Sequence, residues 1–124
     1  MTQVTWLLLA AAFLPLLSAV AAKAGGDRFD NETPRTWLSK QEGWRARANA
    51  AQQNAFEALP FFYAAVLFAL HQGADPGRLG TLMGFWLLAR IAYLGCYIAG
   101  RGLLRSLVWV IALALNITIL FSGN

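Results

Sequence analysis

The chain has 124 residues, of which 58% are hydrophobic and 13% are charged. Soluble domains carry about 25% charged residues, so the composition disfavours both a small water-soluble domain and a disordered chain. Because the chain has one cysteine and one histidine, we expect no disulfide and no metal site. The net charge is +4, but the basic residues lie between apolar runs and do not form one basic stripe. We therefore expect no nucleic-acid partner.

Four segments match the length of about 20 mostly apolar residues that a membrane-spanning helix needs. The first segment contains no charged residue. It could also be a cleaved signal peptide, but such a peptide has basic residues before its apolar part and this segment has none, so we expect a retained helix. We predict helices at about 4–22, 39–72, 78–99 and 103–121, with a polar loop without periodicity at 23–38. The predicted fold is all-α: a single domain, 1–124, forming an integral membrane four-helix bundle of up-down topology.

The second predicted helix has the most local signals. Ser39 and Glu42 have the spacing of a capping box, which predicts that the helix begins at Ser39. Pro60 lies in its interior and should bend the axis. Its strictly apolar part is short, so polar residues on its first half, including Asn54 and Glu57, have to approach the bilayer.

The basic residues indicate an orientation. Eight of the ten fall in or beside the first and third loops, which share one side of a four-span protein. They are Lys23, Arg28, Arg35, Lys40, Arg45, Arg47, Arg101 and Arg105. The positive-inside rule then places both chain ends outside the cytoplasm.

Charged groups inside the membrane need compensation, because each costs roughly 2.5–3.5 kcal/mol at the bilayer centre. At 100° per residue, Arg47, Asn54 and Glu57 form one polar edge of the second helix. A second edge on the third helix contains Trp86, Arg90, Tyr93 and Tyr97. We expect the two edges to form a ligand site. The alternative is that Glu57 pairs with Arg90 or another arginine and Asn54 bonds a neighbouring helix, which would only orient the bundle.

Two motifs resemble a known family. The run Arg45-Ala46-Arg47-Ala48, followed by Gln53-Asn54-Ala55-Phe56-Glu57-Ala58-Leu59-Pro60, is similar to the helix-two signature of MAPEG proteins, the membrane-associated proteins in eicosanoid and glutathione metabolism. The Arg-x-x-Tyr-x-x-x-Tyr pattern of Arg90, Tyr93 and Tyr97 resembles that family's third helix. The chain looks like a bacterial-type member.

The resemblance implies a homotrimer with glutathione bound between neighbouring subunits near the cytoplasmic face. Carried onto matching positions, the glutathione ligands are Asn54, Glu57, Arg90, Tyr93 and Tyr97, with Gln52 as a weaker candidate. Arg101 or Arg105 would face the sulfur. Where eicosanoid-branch members carry an arginine, this chain has Ala50, and where they carry a tyrosine, it has Ala58. Arg47 lies one turn from Ala50 and is our candidate replacement for the missing arginine.

The functional prediction follows from the resemblance and the polar edges together. We expect a glutathione-dependent transferase or peroxidase, in the bacterial inner membrane, acting on lipophilic electrophiles or lipid hydroperoxides that enter from the lipid. The competing prediction is a noncatalytic membrane protein that binds a lipid or another anionic ligand in the same pocket.

Overall fold

The structure is a computed structural model that describes residues 1–124. It contains no strand and five helices: α1 Thr2–Lys23, α2 Pro34–Ser39, α3 Gly43–His71, α4 Pro76–Ile98 and α5 Gly102–Leu120. All except α2 are long and apolar enough to cross a membrane. The predicted all-α class with four membrane-spanning helices is confirmed.

Hydrogen bonds between helix ends fix the up-down arrangement. Arg45 Nη1 donates to the carbonyl of Ala22 at 3.1 Å, and Arg47 Nε donates to the carbonyl of Ile98 at 2.9 Å. The last turns of α1 and α4 therefore meet the first turns of α3, and α5 begins beside them. We call this the basic end of the bundle, because both loops that hold most of the basic residues lie there.

The bundle packs tightly inside and is apolar outside. The rings of Phe62 and Trp86 stack at its centre, with centroids 3.8 Å apart and planes 10° apart. Only 28 of 124 residues are buried, while large apolar side chains such as Phe13, Leu88 and Ile111 are exposed. This apolar surface is suited to contact with lipid tails. Because lipid hydrocarbon solvates apolar side chains as well as the protein core does, the helices associate through packing and hydrogen bonds.

The prediction that 23–38 lacks regular structure is wrong at its end, where α2 forms. Pro34 is its first residue, a position where the fixed φ and the missing N–H of proline suit a helix. Asp30 organises the approach, since its carboxylate accepts from the Glu32 N–H at 2.9 Å and the Thr33 hydroxyl at 2.7 Å. Both donors favour the ionised form, the Thr33 hydroxyl most, and hold the pKa of Asp30 below its usual value.

The predicted capping box is also wrong, and α3 begins at Gly43 rather than at Ser39. The Ser39 hydroxyl donates to the carbonyl of Thr36 at 2.6 Å and thus belongs to the last turn of α2. Glu42 is the N-cap of α3 but makes no side-chain bond there. Gly43 has a φ of +64°, which glycine adopts at no steric cost, so the chain turns between the helices at this residue.

Candidate ligand-binding site

Asn54 on α3 and Arg90 on α4 bind each other inside the bundle. Arg90 is 3% exposed, and its Nη2 donates to Oδ1 of Asn54 at 2.5 Å. The expected alternative is thus confirmed for Asn54, which bonds a neighbouring helix, and wrong for Glu57, which does not pair with Arg90. Glu57 lies one turn further along α3, and it is exposed at the surface of the chain.

A cavity of about 220 Å³, which we call the inner cavity, opens beside this pair. It lies between α3, α4 and α5. Its polar lining comes from Asn54, Glu57, Arg90 and Asn116, and its apolar lining from Ala58, Phe61, Trp86, Trp109, Ala112 and Leu113. Glu57 and Arg90 therefore face one shared crevice although they do not touch.

A second and more open cavity of about 490 Å³, the outer groove, lies nearer the basic end. Its lining is Tyr93, Tyr97, Arg105, Ser106, Trp109 and Val110. At about 1.5 Å of rise per residue, Arg105 lies about 5 Å from the start of α5, whereas Asn116 lies about 21 Å from it. Trp109 lines both spaces, so they follow each other from the basic end to the middle of the span.

Two tyrosines lie in contact between two arginines, and the row runs from the inner cavity to the outer groove. The guanidinium of Arg90 lies 4.4 Å from the ring centroid of Tyr93, and that of Arg105 lies 4.6 Å from the centroid of Tyr97. The two tyrosine rings meet edge to face at 5.7 Å. Cations at aromatic faces are attracted by the ring quadrupole, so each arginine is held in place without losing its charge.

The other predicted site residues lie away from both cavities. Arg101 is exposed and is the N-cap residue of α5. Arg47 donates to the carbonyl of Ile98 at the end of α4. Gln52 is half-buried, and its Oε1 is buried without a hydrogen-bond partner. None of the three lines the inner cavity or the outer groove.

Sequence reasoning missed Trp109 and Asn116 as lining residues. Neither residue was assigned to a polar edge of the bundle from the sequence. The spacing of Arg105, Trp109, Ala112 and Asn116 follows the three-to-four-residue period of one helix face. This spacing could have identified both residues, because it places Trp109 and Asn116 on the same helix face as Arg105, which was already a candidate site residue.

The comparison with protein families decides what the chain is related to. The model of the MAPEG family matches residues 3–123, which is nearly the whole chain. The chain belongs to the MAPEG family. Neither the search of curated proteins nor the search of solved structures found a match. MAPEG proteins include glutathione transferases and peroxidases as well as other membrane proteins.

The residues that carry the MAPEG resemblance are grouped in space as well as in sequence. Asn54, Glu57 and Arg90 line the inner cavity, and Tyr93 and Tyr97 line the outer groove. Four of the five cluster through direct contacts, with Asn54 bonded to Arg90, Arg90 against Tyr93, and Tyr93 against Tyr97. This MAPEG chain thus presents a carboxylate, guanidinium groups and phenols in two neighbouring cavities that share Trp109.

Proposed function

We propose that this MAPEG protein is a glutathione-dependent transferase or peroxidase acting on lipophilic electrophiles or lipid hydroperoxides. The observation that carries the proposal is the grouping of Asn54, Glu57 and Arg90 around one cavity, with Arg105 at the adjoining groove. Buried or intramembrane charges are costly, and in membrane proteins they mark ligand sites by default.

The polar groups fit the chemistry of glutathione, which has two carboxylates, an ammonium group and a thiol. Arg90 offers a guanidinium to a carboxylate, an arrangement that supports strong charge-assisted hydrogen bonds. Glu57 offers a carboxylate to the ammonium group, and the hydroxyls of Tyr93 and Tyr97 offer further donors. Gln52 has an unpartnered buried oxygen but no place in either cavity, so it remains the weaker candidate.

Arg105 is our choice for the arginine at the sulfur. A free thiol has a pKa near 8.5 and reacts as the thiolate, and a nearby guanidinium favours the thiolate because it stays charged. With an aryl halide, the thiolate sulfur bonds the ring carbon and halide leaves. With a lipid hydroperoxide, two molecules of glutathione are oxidised to the disulfide while the hydroperoxide is reduced to an alcohol and water.

The membrane setting and the assembly are part of the proposal. The distribution of basic residues supports a cytoplasmic basic end, with both termini outside the cytoplasm, in a bacterial inner membrane. Lipophilic substrates would enter sideways from lipid, and soluble glutathione from the basic end. Glu57 and Phe61 are exposed on the single chain although they line the inner cavity, which supports a homotrimer whose neighbouring subunit closes the crevice.

The test uses the purified full chain in lipid nanodiscs. We expect calorimetric titration to show saturable glutathione binding, ultraviolet absorbance to show the bound thiolate, and turnover with either an aryl halide or a lipid hydroperoxide. Glutathione binding without turnover of either substrate would instead favour the noncatalytic alternative. Absence of glutathione binding would overturn the proposal.

A further inference from the structure

The basic end of the bundle carries all of the excess positive charge of the side chains. It holds eight basic and four acidic residues, and this excess of four equals the formal net charge of +4. The remaining charges cancel, Arg90 against Glu57 within the span and Arg78 against Asp75 at the opposite end. A partner attracted by charge would therefore meet the protein at the basic end.

The loop at this end is held at the level of the helix ends. Trp37 and Leu38 of α2 pack in one cluster with Ala22, which lies in the last turn of α1. The same cluster contains Ala48, in the second turn of α3. Trp44, in the first turn of α3, is 44% exposed. Because tryptophan is enriched where the hydrocarbon meets the headgroups, this level corresponds to the headgroup layer of the membrane.

The guanidinium of Arg45 is fixed at this level without being neutralised. Its Nη1 donates to the carbonyl of Ala22 at 3.1 Å, and the group lies 4.3 Å from the centroid of the Trp44 ring. Gly25 leaves space beside it, since a Cβ there would stand 3.7 Å from Nη2. A carbonyl and a ring hold a cation without removing its charge, so the other N–H groups of Arg45 can donate to an anion.

Lys23 supplies a second cation next to this position. It directly follows Ala22, whose carbonyl Arg45 binds, and its Nζ lies 5.8 Å from the centroid of the Phe29 ring. The partner of this cation is again a ring and not a carboxylate. Arginine forms paired hydrogen bonds with phosphate oxygens, and lysine binds phosphate as a point charge. The two residues together therefore suit a phosphate group at the membrane surface.

We propose that Arg45, Lys23 and Trp44 form a binding site for one anionic phospholipid. The lipid phosphate accepts hydrogen bonds from the two cations, and the acyl chains run past the Trp44 ring along the apolar outer surface of the bundle. Each lysine or arginine near a membrane surface adds about 1 kcal/mol of attraction to anionic lipid, which is a factor of about five in affinity. The site lies outside both cavities and needs no glutathione, so it is independent of the proposed function.

The test counts the lipids bound to the purified full chain by native mass spectrometry from a neutral detergent. The probes are phosphatidylglycerol and phosphatidylcholine with the same acyl chains, which differ only in the headgroup. We expect phosphatidylglycerol to bind several-fold more tightly, with a difference that shrinks as the salt concentration rises. An excess of inorganic phosphate should not displace it, because phosphate has no acyl chains. Equal binding of the two lipids, or displacement by phosphate, would overturn the inference.

Variants locate the site on the basic end. Arg45→Gln removes the charge but keeps an amide donor for the carbonyl of Ala22, and we expect it to weaken phosphatidylglycerol about fivefold and to leave phosphatidylcholine unchanged. Lys23→Gln, with the same expectation, is the second variant in case Arg45→Gln does not fold. Arg78→Gln is the matched control, since Arg78 is exposed at the opposite end. An equal loss in Arg78→Gln, or no loss in a folded variant of the basic end, would contradict the proposed site.

Discussion

The guanidinium of Arg90 on α4 is held by the side-chain oxygen of Asn54 on α3 at 2.5 Å. Both partners lie inside the predicted span, and the acceptor is an uncharged amide. The cation is therefore hydrogen-bonded but not neutralised by a residue that touches it. A bound anion would supply the missing negative charge, which is why we expect ligand binding and bundle stability to depend on the same pair.

Replacing Asn54 tests that dependence. Asn54→Leu leaves the buried guanidinium without its acceptor, and we expect it to destabilise the bundle by about 1–3 kcal/mol and to weaken glutathione binding. Gln53→Leu is the matched control, since Gln53 is adjacent and exposed. Unfolding in detergent and calorimetric titration measure the two effects. Equal stability of the two variants would mean that the hydrogen bond contributes nothing.

Arg105 and Arg101 can be distinguished by the state of the thiol. Arg105 lines the outer groove beside Tyr97, whereas Arg101 is exposed at the start of α5. We expect Arg105→Leu to raise the pKa of bound glutathione and lower turnover at neutral pH about 10- to 100-fold, one to two pKa units of lost thiolate. The loss should shrink as the pH rises, because the thiol then ionises without help.

The thiolate absorbance of bound glutathione, followed from neutral to alkaline pH, checks this prediction. Arg101→Leu should shift the titration less than Arg105→Leu does. Arg78→Leu, at the opposite end of the bundle, controls for the loss of one positive charge. A larger shift for Arg101→Leu than for Arg105→Leu would reverse the assignment.

The sequence was sufficient for the four spans, because long apolar runs and turn residues are local signals. It was also sufficient to place Glu57 and Arg90 at one crevice, since helix period and chain direction fix their relative depth. The partner of Arg90 was not predictable, because the choice between Asn54 and Glu57 depends on how α3 rotates against α4. The start of α3 was mispredicted because the Ser39 hydroxyl bonds within α2, where a competing acceptor was available.

Arg47 lies one turn from Ala50, and from this position we predict that its positive charge assists glutathione binding. Replacing Arg47 tests this prediction. Its Nε already donates to the carbonyl of Ile98 at 2.9 Å, so removing the whole side chain would also disturb the end of α4. Arg47→Gln keeps an amide donor for that carbonyl and removes the charge. We expect unchanged thermal stability and glutathione binding weakened several-fold, and unchanged affinity would remove Arg47 from the site.

The order of the loop between α1 and α3 depends on the contact between Gly26 and Trp37. The Trp37 indole lies directly against Gly26, so that a Cβ there would overlap the ring. The ring is fixed by its N–H, which donates to the carbonyl of Asp27 at 3.2 Å, and by an edge-to-face contact with Phe29 at 5.0 Å. Gly26→Ala should force the indole out of its place, at a cost of about 1–3 kcal/mol for overpacking.

The effect of Gly26→Ala should centre on the loop, because Trp37 and Leu38 pack only against the basic end of the bundle, at Ala22 and Ala48. We expect faster limited proteolysis between α1 and α3 in nanodiscs, with helix content retained by circular dichroism. Gly102→Ala is the matched control, since a Cβ at Gly102 meets no atom within 4 Å. Equal cleavage rates in the two variants would show that the loop tolerates displacement of Trp37, and its order would then need another cause, such as the Asp30 turn before α2.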